Sequence, residues 1–591
     1  PPPPPKSGMV SDHPIPLQTC NTGVCSDPPL SHQTVSSSLA RPPVGHNSGT
    51  FGTNRAHPIN CAAQQTWNLG TIACRKFRYK IFSAHPQFAL TMASSYARIA
   101  GEMGYVEANL NLLGLNERLQ INDLNLSMPA DELKAFAQQK AELCKNMALQ
   151  SQHDSERAYL ACSALVSEYG IKPPSVKEHK GYLASCVNRM GCERWWKRKL
   201  STLQKHAIES VARDLGLVHR KSSPYSSKHS QLDRTRQKQE TLAYLENTYL
   251  CNEEQEVYSL KELYDKSVSN PYIRRAELMT RIKGFEIVAD QLGHTGQFYT
   301  ITTPSRMHAR LHDGRKNPNY DGSNPASVNR YLQKMWARIR AKFDRDGLHV
   351  YGFRVAEPNH DGTPHWHMLF FMDGNICDKV KNILRAYSLK VDGNEKGAAK
   401  HRFKAEKIDK SKGTAAGYIA KYISKNIDGE HIEKDLDGNN SKSTAAAIDT
   451  WASRWGIRQF QQIGGPSVTV WRELRRLSRQ KAEVSDPLLN EATQHAAAAD
   501  WAAYVMVMGG PQCRREGRPI SPYYQQEEFI DKTTGAFIEE GLTAYGDPAP
   551  ARIKGILVNH FPVITHTKKW KLSSTAPPFH TSFCGAAAIE V

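Results

Sequence analysis

This 591-residue chain lacks both a long apolar run and paired cysteines. A membrane-spanning helix is indicated by an uninterrupted apolar stretch of about 18 or more residues, and none occurs here, so we expect no membrane partner. The 12 cysteines are scattered without a C-x-x-C motif. They match no common zinc site and are typical of reduced thiols in a cytoplasmic protein. A G-x-x-x-x-G-K-S/T phosphate loop is also absent, so the sequence shows no nucleotide-driven motor.

Acidic residues are scarce relative to basic ones. The chain carries 77 Lys and Arg against 58 Asp and Glu, a net charge of +19. Such a net charge is informative about the binding partners of a protein rather than about its fold. Nucleic acid is the commonest polyanion that a basic protein binds. The length exceeds what one hydrophobic core organises, so we expect roughly two to four domains.

The first 65 residues differ in composition from the rest. Residues 1–60 contain 12 of the 33 prolines. They cannot bury enough apolar surface to offset the entropy of ordering them, so 1–65 is predicted to be a disordered tail. The chain opens on five prolines without a methionine. We therefore expect a fragment or a conceptual translation, with no secretion signal.

Residues 66–285 are predicted to form a mostly helical domain, because apolar residues recur there at helical spacing. Within this segment, Trp195 and Trp196 lie among arginines and lysines, a combination that could stack on bases and bind phosphates. The alternative is that the tryptophans anchor the core while the charged side chains face water. We include both tryptophans among the candidate DNA contacts.

Residues 290–430 change to a mixed pattern of strands and helices. The predicted elements are strand 297–303, helix 325–346, strand 348–356, strand 364–372, helix 378–389, strand 402–408 and helix 414–426. The first six follow the order βαββαβ of a ferredoxin-like (RRM-like) antiparallel sheet. The predicted fold class is therefore α+β, with this sheet domain preceded by the helical one. Because that fold hosts many functions, it decides none by itself.

Two segments follow the predicted sheet domain. Residues 431–485 are predicted to extend it with an aromatic and basic stretch, which begins in a polar loop at 431–447. Residues 486–591 form a mixed region to which the sequence assigns no role.

The third predicted strand carries a pair of histidines. Side chains alternate across a strand, so His365 and His367 point to one face. Glu357 ends the preceding strand, and a hairpin would return the chain beside it. Two imidazole nitrogens and one carboxylate suit Mn²⁺ and tolerate Mg²⁺, although these ligands alone would not exclude Zn²⁺. Many strands carry two histidines by chance, and His360 is a competing candidate ligand.

Two tyrosines lie one turn apart on the last predicted helix. Tyr418 and Tyr422 flank a stripe of isoleucines that should pack on the sheet. Lys421 and Lys425 lie within reach of a phosphate bound there. A free tyrosine has a pKa near 10, so a nearby ammonium or metal would have to raise its ionised fraction. The alternative is that both tyrosines are half-buried packing residues.

A basic segment follows the first predicted strand. Residues 301–345 contain ten Lys and Arg against three Asp, a net charge of +7. Such side chains contact the DNA backbone and set affinity rather than sequence choice; for some of them a solvated helix face is the alternative. The candidate DNA contacts are Arg306, Arg310, Arg315, Lys316 and, on the second predicted strand, Arg354.

Together these residues resemble the HUH endonucleases, a superfamily named for two histidines that flank a hydrophobic residue. His365-Trp366-His367 fits that motif, and Phe298-Tyr-Thr-Ile-Thr-Thr-Pro304 resembles the first motif of the superfamily. Glu357 matches the position of the third metal ligand. Tyr418-x-x-x-Tyr422 resembles the branch with two tyrosines.

The likeness is closer still to the gene A replication initiators of temperate tailed bacteriophages. It covers residues 160–480 and says little about either end of the chain. The motifs that carry it are Tyr351-Gly-Phe-Arg-Val-Ala-Glu-Pro358, Asp361-Gly-Thr-Pro-His-Trp-His367 and Trp455-Gly-Ile-Arg-Gln-Phe-Gln-Gln-Ile-Gly-Gly465.

This resemblance implies an endonuclease that nicks single-stranded or extruded origin DNA and initiates rolling-circle replication. Tyr418 or Tyr422 would keep the 5′ end as a phosphotyrosine and leave a 3′-OH for a host polymerase. Mg²⁺ or Mn²⁺ held by Glu357, His365 and His367 would polarise the phosphate. A host helicase would separate the strands, in the cytoplasm of a bacterial host.

Two alternative hypotheses stay open. A transposase or plasmid relaxase would use the same chemistry, and only the DNA that it cuts would differ. A non-catalytic nucleic-acid-binding module would bind regardless of chelators and of the loss of Tyr418 and Tyr422.

Overall fold

The structure is a computed structural model that describes residues 58–574 apart from 153, 180, 410, 412, 430–439, 481–484, 527–528, 531–536 and 539–540. The chain forms two compact units. The first contains residues up to 204 together with 529–549, and the second contains 205–528 together with the residues from 550 onward. Most of the tail predicted for 1–65 lies outside the described residues. Its last eight residues form a helix, so the predicted boundary at 65 is wrong.

The first unit is mostly helical. Its helices are α1 (Pro58–Gln65), α2 (Ile72–Ala84), α3 (Ala89–Met103), α4 (Tyr105–Leu119), α5 (Ala130–Gln150), α6 (Ser155–Glu168), α7 (Leu183–Met190) and α8 (Glu193–Asp214), the last of which continues beyond residue 204. A short hairpin joins β1 (Gln120–Ile121) to β2 (Leu124–Asn125). Polar side chains start two of these helices: Thr71 caps α2, and Asp154 caps α6 by accepting two backbone N–H groups. The segment predicted as one helical domain, 66–285, spans both units.

The second unit mixes helices and strands. Its remaining helices are α9 (Lys228–Glu246), α10 (Leu260–Asp265), α11 (Pro271–Gln291), α12 (Pro325–Arg345), α13 (Cys377–Ser388), α14 (Ala398–His401), α15 (Ala415–Ile427), α16 (Ser441–Trp455), α17 (Val468–Arg479), α18 (Pro487–Ala497) and α19 (Trp501–Val507). The strands after β2 are β3 (Tyr249–Asn252), β4 (Val257–Ser259), β5 (Thr295–Ile301), β6 (Tyr351–Pro358), β7 (Pro364–Met372), β8 (Phe403–Lys407), β9 (Phe460–Ile463), β10 (Ile520–Gln525), β11 (Phe529–Ile530), β12 (Phe537–Ile538), β13 (Arg552–Val558), β14 (Phe561–Ile564) and β15 (Trp570–Ser573), of which β11 and β12 belong to the first unit. Among the helices described in either unit, none has the length and apolar composition required to cross a membrane.

A five-stranded antiparallel sheet organises the second unit, in the order β8–β5–β7–β6–β9. Because β7 pairs antiparallel with both β5 and β6, these two strands run in the same direction with β7 between them. Helix α12 connects β5 to β6, and α13 and α14 connect β7 to β8. The predicted succession of strands and helices over 297–426 is confirmed, and the strand predicted for 364–372 matches β7 at both ends.

Apolar side chains cover both faces of this sheet, as burial between two helical layers requires. On one face, Phe353 and Leu369 join a core with residues of α11, α15, α17 and α19. On the other face, Trp366 and Met368 join a core with residues of α12, α13 and α16. His365 and the other odd-numbered residues of β7 point to the sheet face that carries the first of these two cores.

Residues beyond 430 complete both cores. Helix α16 begins at Ser441, inside the loop predicted for 431–447, whose first residues lie outside the described ones. Strand β9 adds the fifth strand along the edge of β6. The region without an assigned role, 486–591, supplies Trp501, Tyr504 and Ile556 to the first core. These three residues therefore belong to the same folded unit as the sheet, whereas residues 529–549 belong to the first unit.

Close packing between α11 and α19 makes Gly284 sensitive to added volume. A methyl group there would lie 2.6 Å from the Cβ atom of Trp501. We expect Gly284→Ala to lower the free energy of unfolding by about 1–3 kcal/mol, because overpacking outweighs the gain in helix propensity. Gly114→Ala on α4 is the control: no atom lies within 4 Å of its added methyl group, so alanine should stabilise by up to about 1 kcal/mol. Thermal and urea unfolding measure both changes, and a stabilised Gly284→Ala protein would contradict this packing.

Candidate metal and tyrosine site

Antiparallel pairing of β6 with β7 brings Glu357 beside the two histidines. Glu357 lies opposite His365, and Val355 lies opposite His367. Because side chains alternate along each strand, the carboxylate and both imidazoles leave the same face of the sheet. The three predicted metal ligands are thus brought together.

These three side chains could hold one metal ion, since their ligand atoms lie within 4.8 Å of one another. The Nε2 atoms of His365 and His367 are 2.9 Å apart, and Glu357 Oε2 lies 3.9 and 3.5 Å from them, respectively. Neighbouring ligands on an octahedral ion with bonds of about 2.1 Å stand about 3 Å apart. The spacing of the three atoms therefore fits a divalent ion after small side-chain movements. Thr300 Oγ1 lies 3.1 Å from His367 Nδ1, which leaves Nε2 as the nitrogen that faces the group.

Burial and the charges within the group shift its pKa values. Burial opposes ionisation of Glu357, but the Lys425 ammonium and the contact with His367 prevail and lower the pKa of Glu357 to about 2. Burial, reinforced by His367, lowers the pKa of His365 to about 3. At neutral pH the group therefore contains a carboxylate and a neutral His365, the forms that bind metal.

Tyr422 is the tyrosine that packs against this group. Its ring centroid lies 4.2 Å from that of His367 and 5.5 Å from that of Phe298, on which it stacks. Burial, followed by the charge of Glu357, raises the pKa of Tyr422 to about 12. Tyr418 lies one turn earlier on α15 and is half-buried. The two tyrosines therefore occupy different surroundings on the same helix.

Two further side chains of α15 contact Glu357. Lys425 Nζ lies 3.8 Å from Glu357 Oε2, whereas the side chain of Lys421 lies outside the described residues. Asn426, which is absent from the predicted site, donates from Nδ2 to Glu357 Oε1. The one signal for Asn426 in the sequence is its spacing of four residues from Tyr422, which places both on one side of the helix.

A second buried carboxylate holds the hairpin between β6 and β7. Asp361 accepts hydrogen bonds of 2.9 Å from the backbone N and from Oγ1 of Thr363, and it lies 3.6 Å from His308 Nδ1. Arg213, which lies 148 positions away in the sequence, donates from Nε to the backbone carbonyl of Asp361 at 2.8 Å. Burial opposes ionisation of Asp361, but His308 and Arg213 hold its pKa well below the usual range. These contacts orient the turn that leads into His365.

His360, the competing candidate ligand, lies elsewhere in this hairpin. Its ring stacks on Tyr225 with centroids 5.6 Å apart, and its carbonyl accepts a hydrogen bond from the Tyr225 backbone at 3.2 Å. The ligand atoms that cluster belong to Glu357, His365 and His367.

Two of the predicted basic DNA contacts are engaged within the protein. Arg306 pairs with Asp321, and its Nε lies 2.7 Å from Asp392. Arg310 donates to the backbone carbonyl of Asp214 at 2.7 Å. Both side chains therefore have structural contacts that would compete with a phosphate.

Two other predicted contacts face solvent. Arg315 pairs with Asp313 at 2.6 Å, yet its side chain remains 78% exposed. Lys316 is exposed beside it. These two side chains can reach a DNA backbone without rearrangement of the core.

The structure contradicts three predicted DNA contacts. Trp195 and Trp196 are 3% and 0% exposed and pack edge to face, and Trp196 donates to the Met190 carbonyl at 2.7 Å. Neither ring can stack on a base, so the core role is the correct one. Arg354 is 4% exposed, with its guanidinium 4.2 Å above the ring of Trp366. It lies on the sheet face opposite to the metal group, because positions 354 and 357 alternate across β6.

Comparison with known proteins matches this chain to a described family. Residues 123–430 match the family described as bacteriophage replication gene A proteins. The replication gene A protein of Escherichia phage 186 is 40% identical over 433 residues, which is 70% of this chain and 60% of that protein. A probable replication protein of Pseudoalteromonas phage PM2 is 38% identical over 438 residues, 73% of this chain and 65% of that protein.

Relatives from prophages are also found. A probable replication endonuclease from a prophage-like region of Salmonella paratyphi A is 35% identical over 418 residues, 68% of this chain and 50% of that protein. The chain thus spans only 50–65% of the length of these three relatives. No solved structure matches the chain significantly.

Each histidine of the group should be necessary for metal binding. His365→Ala or His367→Ala removes one of three ligand atoms. We expect the affinity for Mn²⁺ to fall by more than the roughly 10–100-fold that is typical of losing an outer hydrogen-bond partner. His360→Ala is the matched control, because His360 stacks on Tyr225 away from the clustered ligand atoms. Calorimetric titration of the full chain with Mn²⁺ compares the variants, and equal affinities in all of them would contradict a metal site here.

Proposed function

The chain belongs to the family of bacteriophage replication gene A proteins, and on that premise we propose that it is a site-specific endonuclease that nicks one DNA strand and initiates rolling-circle replication. Relatives are named replication gene A protein and probable replication endonuclease. The observation that carries the proposal is the contact of Tyr422 with His367, which sets a phenol against a histidine and carboxylate group suited to a metal.

The proposed reaction exchanges one phosphodiester for another. The phenol oxygen of Tyr422 attacks the scissile phosphorus and forms a phosphotyrosine at the 5′ end, while the bond to the 3′ oxygen breaks. The phenol loses its proton, and the departing oxygen takes up a proton to become a free 3′-OH. Because water is not consumed, the phosphotyrosine can be attacked in turn by a 3′-OH, and the ends can be rejoined without ATP.

Positive charge is what Tyr422 requires for this step. With a pKa of about 12, its phenol stays protonated near neutral pH. Glu357, His365 and His367 would hold Mg²⁺ or Mn²⁺, which when bound supplies charge at the scissile phosphate. The Lys425 ammonium, 3.8 Å from Glu357, adds to that charge. We propose this electrostatic role for Lys425 and leave the nucleophilic role to the tyrosines.

We further propose that residues 290–430 form a ferredoxin-like nuclease domain of the HUH type. Three features support this assignment. The strands β8–β5–β7–β6 are antiparallel neighbours in an interleaved order. The histidine pair lies on β7, between β5 and β6. Helix α15, which carries both tyrosines, packs on the same face through its isoleucines.

The second tyrosine suits a second cut. Rolling-circle replication requires cleavage of the regenerated origin while the first 5′ end is still covalently held. A phenol one turn away on α15 supplies another nucleophile on the same side of the helix. Because Tyr422 contacts His367 and Tyr418 lies one turn earlier on α15, we propose that Tyr422 makes the first cut and Tyr418 the second.

The proposed partners follow from this chemistry. The substrate is origin DNA that is single-stranded or extruded at the cut, with Arg315 and Lys316 on its backbone. A host helicase separates the strands and a host polymerase extends the 3′-OH, in the cytoplasm of a bacterial host. A transposase or relaxase with the same chemistry would instead cut transposon ends or a transfer origin. A non-catalytic binding module would form no covalent adduct with any DNA.

The tyrosine assignment predicts unequal single variants. On a single-stranded origin oligonucleotide with Mn²⁺, Tyr422→Phe should lower the rate of covalent adduct formation by several orders of magnitude, because phenylalanine keeps the ring contact and removes the nucleophile. Tyr418→Phe is the matched control and should retain the first cleavage while failing in repeated rounds. The double variant should form no adduct. Peptide mapping of the trapped DNA locates the linkage, and a first adduct confined to Tyr418 would contradict the assignment.

The exposed basic residues should govern the salt dependence of DNA binding. Arg315→Ala and Lys316→Ala should each reduce the slope of log affinity against log salt concentration by about 1, if each side chain neutralises one phosphate. Lys381→Ala is the control, because Lys381 is also ion-paired and partly exposed, but on α13 at the opposite sheet face. Fluorescence anisotropy at several salt concentrations measures the slopes. Equal slopes for all four proteins would remove Arg315 and Lys316 from the interface.

A further inference from the structure

Asn426 occupies an unusual position between the metal group and the tyrosine helix. Its side chain is 2% exposed, four residues after Tyr422 on α15. The amide nitrogen donates both to Glu357 Oε1 and to the backbone carbonyl of Tyr422. The amide oxygen accepts from Gln459 Nε2 at 3.2 Å. Both ends of the buried amide are therefore satisfied.

In this arrangement the two carboxylate oxygens of Glu357 have different contacts. Oε1 accepts from Asn426, whereas Oε2 lies 3.5 Å from His367 Nε2 and 3.9 Å from His365 Nε2. A carboxylate that lacks such a hydrogen bond is free to rotate or to bind an ion through both oxygens. The hydrogen bond from Asn426 leaves one oxygen directed at the two imidazoles.

Gln459 satisfies the oxygen end of the Asn426 amide. The backbone carbonyl of Gln459 accepts a hydrogen bond of 2.7 Å from the backbone N of Ala356, the residue before Glu357. The Glu357 carboxylate and the Tyr422 backbone carbonyl can only accept, so Asn426 must direct its amide nitrogen toward them, and its amide oxygen is left to accept from the Gln459 side chain. The contact thus joins α15 and the segment leading into β9 to the metal ligand on β6.

We propose that Asn426 is a positioning residue that holds Glu357 as a one-oxygen metal ligand and keeps the tyrosine helix in register with it, with Gln459 supporting the oxygen end of the Asn426 amide. This inference rests on the proposed function of the Glu357, His365 and His367 group. It adds a determinant of metal affinity that lies outside the three ligands. Hydrogen-bond partners of ligating side chains typically contribute roughly 10–100-fold to metal affinity or activity.

The decisive experiment titrates Mn²⁺ into the full chain by calorimetry and follows nicking of a single-stranded origin oligonucleotide over a range of Mn²⁺ concentrations. Asn426→Leu retains the branching and the number of side-chain heavy atoms and removes both hydrogen-bonding ends. We expect its Mn²⁺ affinity to fall by about 10–100-fold. Half-maximal nicking should shift to higher Mn²⁺ by a similar factor, and saturating Mn²⁺ should restore part of the rate.

Asn329→Leu is the matched control, since Asn329 is another buried asparagine, 6% exposed on α12 in the layer over the opposite sheet face. It should alter thermal stability without changing Mn²⁺ affinity. Gln459→Glu provides a second test at a half-buried position. A carboxylate there favours the reversed Asn426 amide, whose oxygen would face Glu357, so Mn²⁺ affinity should also fall. This variant keeps the proposal testable if Asn426→Leu does not fold.

The outcomes separate this proposal from the proposed function. Wild-type chain that neither binds Mn²⁺ nor nicks DNA would overturn the function itself. Wild-type binding and nicking, with unchanged Mn²⁺ affinity in folded Asn426→Leu or in Gln459→Glu, would overturn the role of Asn426 alone. A loss of stability in Asn426→Leu with an unshifted Mn²⁺ dependence would likewise assign Asn426 to packing.

Discussion

The burial of one carboxylate governs the site and the elements around it. Glu357 is 1% exposed, and a charge taken out of water costs several kcal/mol unless opposite charge and hydrogen bonds compensate it. The compensation comes from three places: His367 on the paired strand, and Lys425 and Asn426 on α15. The hairpin and the helix are therefore tied to one another through a single side chain. A bound divalent ion would add further compensation at the same point.

A second buried carboxylate, that of Asp361, stabilises the turn of the same hairpin. Asp361 is held by Arg213 and Thr363, and His308 lies beside it. The hairpin is thus fixed at its turn as well as beside α15, so the histidines on β7 have little freedom relative to β6. Rigid support of this kind is what a site for positioning and charge neutralisation requires. Residues beyond 486 contribute to the same core, since Trp501 packs against Phe285 of α11 in the cluster that α15 also joins.

The parts predicted well from sequence share strong local periodicity. Strand β7 matches at both ends because its apolar run, which is buried on both faces of the sheet, is bounded by a turn and by a change of polarity. The start of helix α16 lies within the predicted loop at 431–447, because its first turn is polar and its buried face packs against residues distant in the sequence. The tryptophan pair shows the same limit: adjacent basic residues suggest a DNA contact, and only packing shows that both rings are buried.

The sequence by itself determined which residues could act as ligands and nucleophiles, and that the two histidines share one face of a strand. These properties depend on residue type and on the period of strand or helix, which neighbouring residues encode. The tertiary structure decided which tyrosine contacts the group of Glu357, His365 and His367. It also decided which basic residues face solvent, and that Asn426 donates a hydrogen bond to Glu357. Those properties depend on contacts between distant positions, such as the 69 residues that separate Glu357 from Asn426. Burial and partner choice arise only when the chain has folded: the spacing of Asn426 from Tyr422 indicates a shared side of the helix, but not that Asn426 donates to Glu357.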